Sequence, residues 1–163
     1  MANHPMPTVL DLLLEALATG EFRMPLAEHL ALRLTHAEAG RVTVSFQPQP
    51  FHRNIMGTVH GGILCSAADA AMGLSFGTTL PAGQAFTTVD LKINYLRPVF
   101  DQPVHAHGVV LHKGKTMGLM ECRLVDGQQR LVAFATSTCM VIQGKAASGR
   151  EVLPGLGALP DGS

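Results

Sequence analysis

The chain has 163 residues, with twelve basic and twelve acidic side chains and a formal net charge of +0, so no global field draws it to nucleic acid or to an anionic membrane surface. At 47% hydrophobic and 15% charged, it is neither a disordered chain nor a solvated spacer, and its length suits one domain with a buried core. Cys65, Cys122 and Cys139 sit in apolar stretches without metal-ligand spacing, and no basic leader or long apolar span is present; the expectation is buried thiols and a cytoplasmic protein that neither enters a membrane nor binds nucleic acid.

From Thr8 to Gly20 the apolar residues recur at helical spacing between a capping threonine and a glycine stop, which predicts a short amphipathic helix. Leu30–His36 and Arg41–Gln47 alternate in period two about Ala39-Gly40 and read as a hairpin. A loop with Pro48 and Pro50 leads through Asn54 to a run from Gly61 to Phe76 whose one charge is Asp69. A helix apolar all round is a central buried helix. Thr87–Leu96, Val104–Lys113, Thr116–Val125 and Arg130–Ile142 then read as strands, the last two split by Asp126-Gly127. Two strands, a helix and four strands give an α+β fold, an antiparallel sheet with one long helix on its face. Three parts are expected: an N-terminal helix and lead-in (1–26), the main domain (27–142) and a flexible tail rich in Gly, Ala, Ser and Pro (143–163).

Asp69 is the residue that most needs explaining. A lone carboxylate on an apolar helix is costly to bury, and it needs either a partner that fixes packing or a chemical task. Upstream, His60-Gly61-Gly62 marks a helix start, where free N–H groups and the dipole favour an anion; this makes it a candidate oxyanion site, or else simply a capped helix entrance. Gly61 and Asp69 are eight positions apart, about 12 Å along one helix axis. They cannot meet on one carbonyl carbon from the same chain, so joint action requires a second copy related by a two-fold axis.

Asn54, Gly57, His60-Gly61-Gly62 and Asp69, followed by Thr88-Val-Asp-Leu-Lys-Ile-Asn-Tyr95-Leu-Arg-Pro98 and by Lys113-Gly114-Lys115-Thr116, resemble the hotdog-fold acyl-CoA thioesterases of the phenylacetate-degradation (PaaI) type. The resemblance covers about Leu30 to Val141. It implies a sheet wrapped around the central helix, a homodimer as the smallest active unit and a homotetramer as the assembly. It also implies hydrolysis of an acyl- or aryl-acyl-CoA thioester to free acid and coenzyme A, without a cofactor or a metal. Asp69 would be nucleophile or general base and the Gly61 N–H would polarise the thioester oxygen; Asn54, His60 and Thr88 would orient water, substrate and carboxylate. Gly62, Asp90, Lys113, Gly114, Lys115 and Thr116 would contact the substrate, the basic turn taking the coenzyme A phosphates. A non-catalytic acyl-CoA sensor or carrier with the same fold is the alternative.

Other features favour plainer readings. His105 and His107 share a strand face but no third ligand completes a metal set, so they read as solvated surface histidines. Met72, Met117, Met120 and Met140 read as core filler. No Gly-x-Ser-x-Gly elbow, P-loop or dinucleotide fingerprint occurs.

Overall fold

Thr8 opens the first helix by a reciprocal cap: its hydroxyl accepts the Asp11 N–H (3.2 Å), and the Asp11 carboxylate accepts the Thr8 N–H (2.9 Å). This helix, α1 (Val9–Thr19), ends on Gly20 at φ 76, the left-handed conformation that glycine adopts without strain. The computed structural model describes residues 6–143, so the expected tail beyond 143 lies outside the described residues. A short helix not anticipated from the sequence, α2 (Pro25–His29), follows with proline in its first turn. β1 (Arg33–Glu38) and β2 (Arg41–Phe46) form the expected hairpin about Gly40. A 3-10 turn (Pro50–His52) and a loop lead to α3 (Gly61–Gly77), then to β3 (Ala85–Tyr95), β4 (Val104–Lys113), β5 (Met117–Asp126) and β6 (Leu131–Ile142). All pairings are antiparallel, in the order β1-β2-β4-β5-β6-β3.

α3 lies chiefly across β2, β4 and β5. There the inward residues Val42, Val44, Phe46, Val104, Ala106, Met120, Cys122 and Leu124 are buried, as period-two alternation requires of a sheet covered on one side. Two strand glycines seat the helix: a Cβ at Gly108 would run into the Ala71 carbonyl, and one at Gly118 into the Phe76 ring. α1 joins the same core through Val9 and Leu13, with Val9 packed at Gly77.

One chain does not cover α3 on every side, which corrects the expectation of an all-round buried helix. Gly62, Ser66 and Asp69, spaced by four and three residues, lie on a face that stays open or half-open. Cys65 is only half-buried for the same reason. Of the four methionines read as core, Met72 and Met120 are buried, whereas Met117 and Met140 stand on the outer face of the sheet.

β3 returns alongside α3 in the opposite direction. Phe86 packs at Gly73 and Gly77, Thr88 meets Asp69, and Tyr95 meets Gly61. Thr88 and Tyr95 are seven residues apart, so strict alternation would put them on opposite faces. A bulge with Val89 as the extra residue resolves this, because Thr88 pairs with Cys139 and Asp90 already with Thr138. Asp90 holds the bulge: its carboxylate accepts the Thr138 N–H (3.0 Å) and its carbonyl accepts the Ser137 hydroxyl (2.8 Å).

Candidate active site

The approach to α3 is a tightly bonded loop. Asn54 Oδ1 accepts the Met56 N–H (2.9 Å), Asn54 Nδ2 donates to Thr58 Oγ1 (2.9 Å), and the Asn54 carbonyl accepts the N–H of Gly57, which sits at φ 80. Both polar ends of the Asn54 side chain are thus engaged in its own turn, and within one chain they meet neither Asp69 nor Gly61. His52, which sequence reasoning passed over, is fully buried edge-on to Phe46 and Phe51. Its Nδ1 accepts the Gln49 N–H (3.0 Å) and its carbonyl accepts the His60 N–H (2.8 Å), tying the loop to the helix entrance. Burial holds its pKa below the ordinary imidazole value, with the Leu30 carbonyl acting the other way.

His60 is the N-cap of α3, and its Nδ1 accepts the Gly62 N–H at 2.9 Å. That role places the proton of the neutral ring on Nε2. The Gly61 N–H finds no acceptor among the described residues, at the positive end of a helix of 17 residues. It borders a cleft of about 370 Å³ whose walls include Val59, Leu64, Tyr95, Arg97 and Val99. Tyr95, quoted in the sequence only as part of a strand, donates its hydroxyl to the Gly61 carbonyl at 2.8 Å.

Farther along α3, Asp69 accepts the Thr88 hydroxyl on Oδ1 at 2.9 Å. Burial pushes the neighbouring Cys139 thiol up to about 11, and burial with the Asp69 charge also raises Cys65. Both thiols therefore stay protonated near neutrality. Eight residues of helix, about 12 Å, separate it from Gly61.

The basic turn sits at the other end of α3. Lys113 Nζ donates to the Thr79 carbonyl (2.7 Å), the Gly114 N–H to the Met117 carbonyl (2.8 Å), and Thr116 accepts the Val141 N–H through its carbonyl. Lys115 is exposed and makes no ion pair among the described residues. The Asp90 carboxylate is engaged at the bulge, on the outer side of β3. Among the described residues no group of three or more His, Cys, Asp or Glu is placed to hold a metal. His105 and His107 are half-buried and stacked rather than solvated, and His107 Nδ1 lies 3.0 Å from Thr43 Oγ1.

The family description "Thioesterase superfamily" matches residues 56–133, a span that takes in His60, Gly61, Asp69, Thr88 and the basic turn. A Saccharolobus solfataricus protein that carries a provisional esterase name is 31% identical over 116 residues, covering 71% of this chain and 82% of that protein. The chain belongs to the thioesterase superfamily. The Escherichia coli medium/long-chain acyl-CoA thioesterase YigI is 28% identical over 135 residues, covering 74% of this thioesterase and 87% of YigI. A mutant structure of the phenylacetic acid degradation protein PaaI from Thermus thermophilus superposes with a TM-score of 0.66 at 27% identity, covering 71% and 97% of the two chains. The six-stranded sheet around α3 is thus the hotdog fold of a PaaI-like thioester hydrolase. No helix of the described residues is long and apolar enough to cross a membrane.

Proposed function

We propose that this thioesterase hydrolyses acyl- or aryl-acyl-CoA thioesters, with Asp69 of one protomer and Gly61 of its partner acting on one carbonyl. The observation that carries the reading is the position of Asp69: half-buried on the face of α3 that one chain leaves open, oriented by Thr88 and paired with no cation among the described residues. The naming of YigI for acyl-CoA supports the substrate class.

The partner joins along β3. This strand of 11 residues pairs only with β6 among the described strands and leaves an edge about 35 Å long open, carrying the residues that touch α3. A two-fold axis there creates two equivalent sites, and two such dimers form the tetramer. In each site Asp69 takes a proton from water as the water oxygen attacks the thioester carbon; on the alternative route Asp69 attacks that carbon itself, the leaving sulfur takes its proton from solvent, and water then hydrolyses the acyl–aspartyl anhydride to free the acid and restore the carboxylate. The carbonyl oxygen becomes an oxyanion on the Gly61 N–H, and collapse breaks the C–S bond and releases coenzyme A, whose sulfur takes up the proton. His60 caps the oxyanion turn, Asn54 shapes the loop that leads to it, and Gly62 leaves the approach unobstructed. Lys115 holds the nucleotide phosphates, with Lys113, Gly114 and Thr116 shaping the turn that presents it, while Asp90 acts through the shape of β3. The reaction needs no cofactor and takes place in the cytoplasm.

The test is thiol release from straight-chain, branched and phenyl-substituted acyl-CoAs by the wild type and by Asp69→Asn. Hydrolysis abolished in the variant supports the reading. Binding of acyl-CoA without release by the wild type assigns the chain to sensing or carriage.

A further inference from the structure

We propose that Tyr95 is a positioning residue of the oxyanion turn, gripping the Gly61–Gly62 peptide together with His60 so that the Gly61 N–H keeps one direction. The inference rests on the reading that this N–H receives the thioester oxygen.

The peptide unit between Gly61 and Gly62 is engaged at both of its polar ends. Its carbonyl accepts the Tyr95 hydroxyl at 2.8 Å and its N–H donates to His60 Nδ1 at 2.9 Å. A peptide is planar, so two bonds at opposite ends fix its rotation. The preceding unit is held through the His60 carbonyl, which accepts the Ile63 N–H at 3.0 Å. Gly61 lies between these two held planes, and its unbonded N–H is aimed by both.

The grip answers a specific weakness. Two consecutive glycines at an exposed helix start have the widest backbone freedom of any sequence, and helix ends fray. An oxyanion donor is useful only if its direction is set before the charge develops. Tyr95 supplies this without being held by burial, since its relative exposure is 51%. It is delivered by the chain instead: the bulge at Val89 turns it toward α3, and the Leu96 and Arg97 N–H groups both bond the Val132 carbonyl just after it (2.9 and 3.1 Å). The ring lies so close to Gly61 that a Cβ there would stand 2.9 Å from Tyr95 Cζ. Glycine at 61 and tyrosine at 95, the single tyrosine of the chain, are therefore one fitted pair. Partial desolvation, with a smaller contribution from Cys65, raises the phenol pKa above its ordinary value, so the hydroxyl remains a donor throughout the neutral range.

The experiment compares the wild-type protein with Tyr95→Phe, which keeps the ring and removes the hydroxyl. Amide hydrogen exchange at Gly62 should accelerate while the amides around Asp69 stay as they were. The kcat for acyl-CoA hydrolysis should fall about five- to tenfold with KM unchanged, the range that losing one neutral hydrogen bond produces. Unchanged Gly62 exchange overturns the grip whatever happens to activity. Faster exchange with wild-type kcat, or a change confined to KM, overturns the positioning role. The fitted pair is tested separately: Gly61→Ala should lose most activity and stability, and Tyr95→Ala in the same chain should restore much of the stability; simple additivity of the two losses overturns it. Should the wild type release no thiol from any acyl-CoA, the functional reading fails, while the exchange and stability measurements still decide the contact.

Discussion

Thr88 on β3 donates its hydroxyl to Asp69 Oδ1 on α3 at 2.9 Å. The bond engages one carboxylate oxygen, and the other takes no hydrogen bond among the described residues, the arrangement a base or nucleophile needs. Asp69→Asn should therefore lower kcat by at least about a hundredfold with the melting temperature nearly unchanged. Thr88→Val should cost about tenfold, and Thr88→Ser, which keeps the donor, much less. Single-turnover hydrolysis measured beside thermal melting checks all three, and near-normal turnover by Asp69→Asn would remove Asp69 from the mechanism.

The helix separation of Gly61 and Asp69 makes a prediction about subunits. Let one chain carry Asp69→Ala and another Gly61→Val, each inactive as a homodimer. A mixed dimer then holds one site with both defects and one with neither, and random assembly after refolding should return about a quarter of wild-type activity. Absence of recovery in a sample whose mixed dimers are verified by mass spectrometry would place both groups in one protomer's site or exclude one of them.

The two lysines of the basic turn should separate. Lys113 is tied to the Thr79 carbonyl just beyond the C-terminus of α3, where a cation also complements the helix dipole. Lys113→Ala should lower the melting temperature. Lys115→Ala should instead raise KM for the CoA ester and weaken its salt dependence, with kcat preserved. A short thioester without the nucleotide should not register the Lys115 change; equal losses on both substrates would contradict the assignment.

His52 gives the protein an acid limit. Burial lowers its folded-state pKa from the ordinary value of 6.5, so between the folded and unfolded values the unfolded chain binds more protons and stability falls as pH falls. Its contribution is complete above about pH 6.5 and declines below it. Protonation would also set an N–H on Nδ1 against the Gln49 N–H that it now accepts. Melting temperatures followed from pH 7.5 down to 5 should drop less steeply in His52→Asn than in the wild type; parallel curves would show that His52 does not govern the loss. His107, also lowered by burial and by the charges of His105, Arg123 and His36, supplies the residual slope.

What the sequence made legible follows the strength of its periodic signals. The second hairpin strand, the long helix and the four later strands stand within a residue or two of their expected bounds, and the first hairpin strand begins three residues later than expected, because alternation and turn glycines act locally. α2 escaped since five residues carry no period to detect. The open face of α3 was hidden because an apolar sequence does not distinguish cover by the same chain from cover by another. Asp69 and Thr88, separated by 19 positions, were expected to cooperate and do meet. Asn54 was expected to hold the attacking water or the carbonyl; within one chain its side chain is engaged in its own turn, a local competition among polar groups that residue types alone do not decide. Tyr95 went unassigned because its facing depends on a bulge, and nothing in Thr88-Val-Asp announces one.

That bulge makes β3 a strand with two reading frames. Before Val89 the residues facing the helix are even-numbered, Phe86 and Thr88; after it they are odd-numbered, Leu91, Ile93 and Tyr95, with Val89 itself exposed. Substituting or deleting Val89 leaves both frames intact, because Thr88 and Asp90 already oppose the adjacent residues Cys139 and Thr138; pairing Val89 into the ladder would instead exchange the faces of everything downstream, turning Lys92 and Asn94 toward the core and Tyr95 away from Gly61. In this stretch the facing of Tyr95 depends on Val89 staying out of the ladder. An added residue in the connection between Tyr95 and Val104 likewise changes no facing.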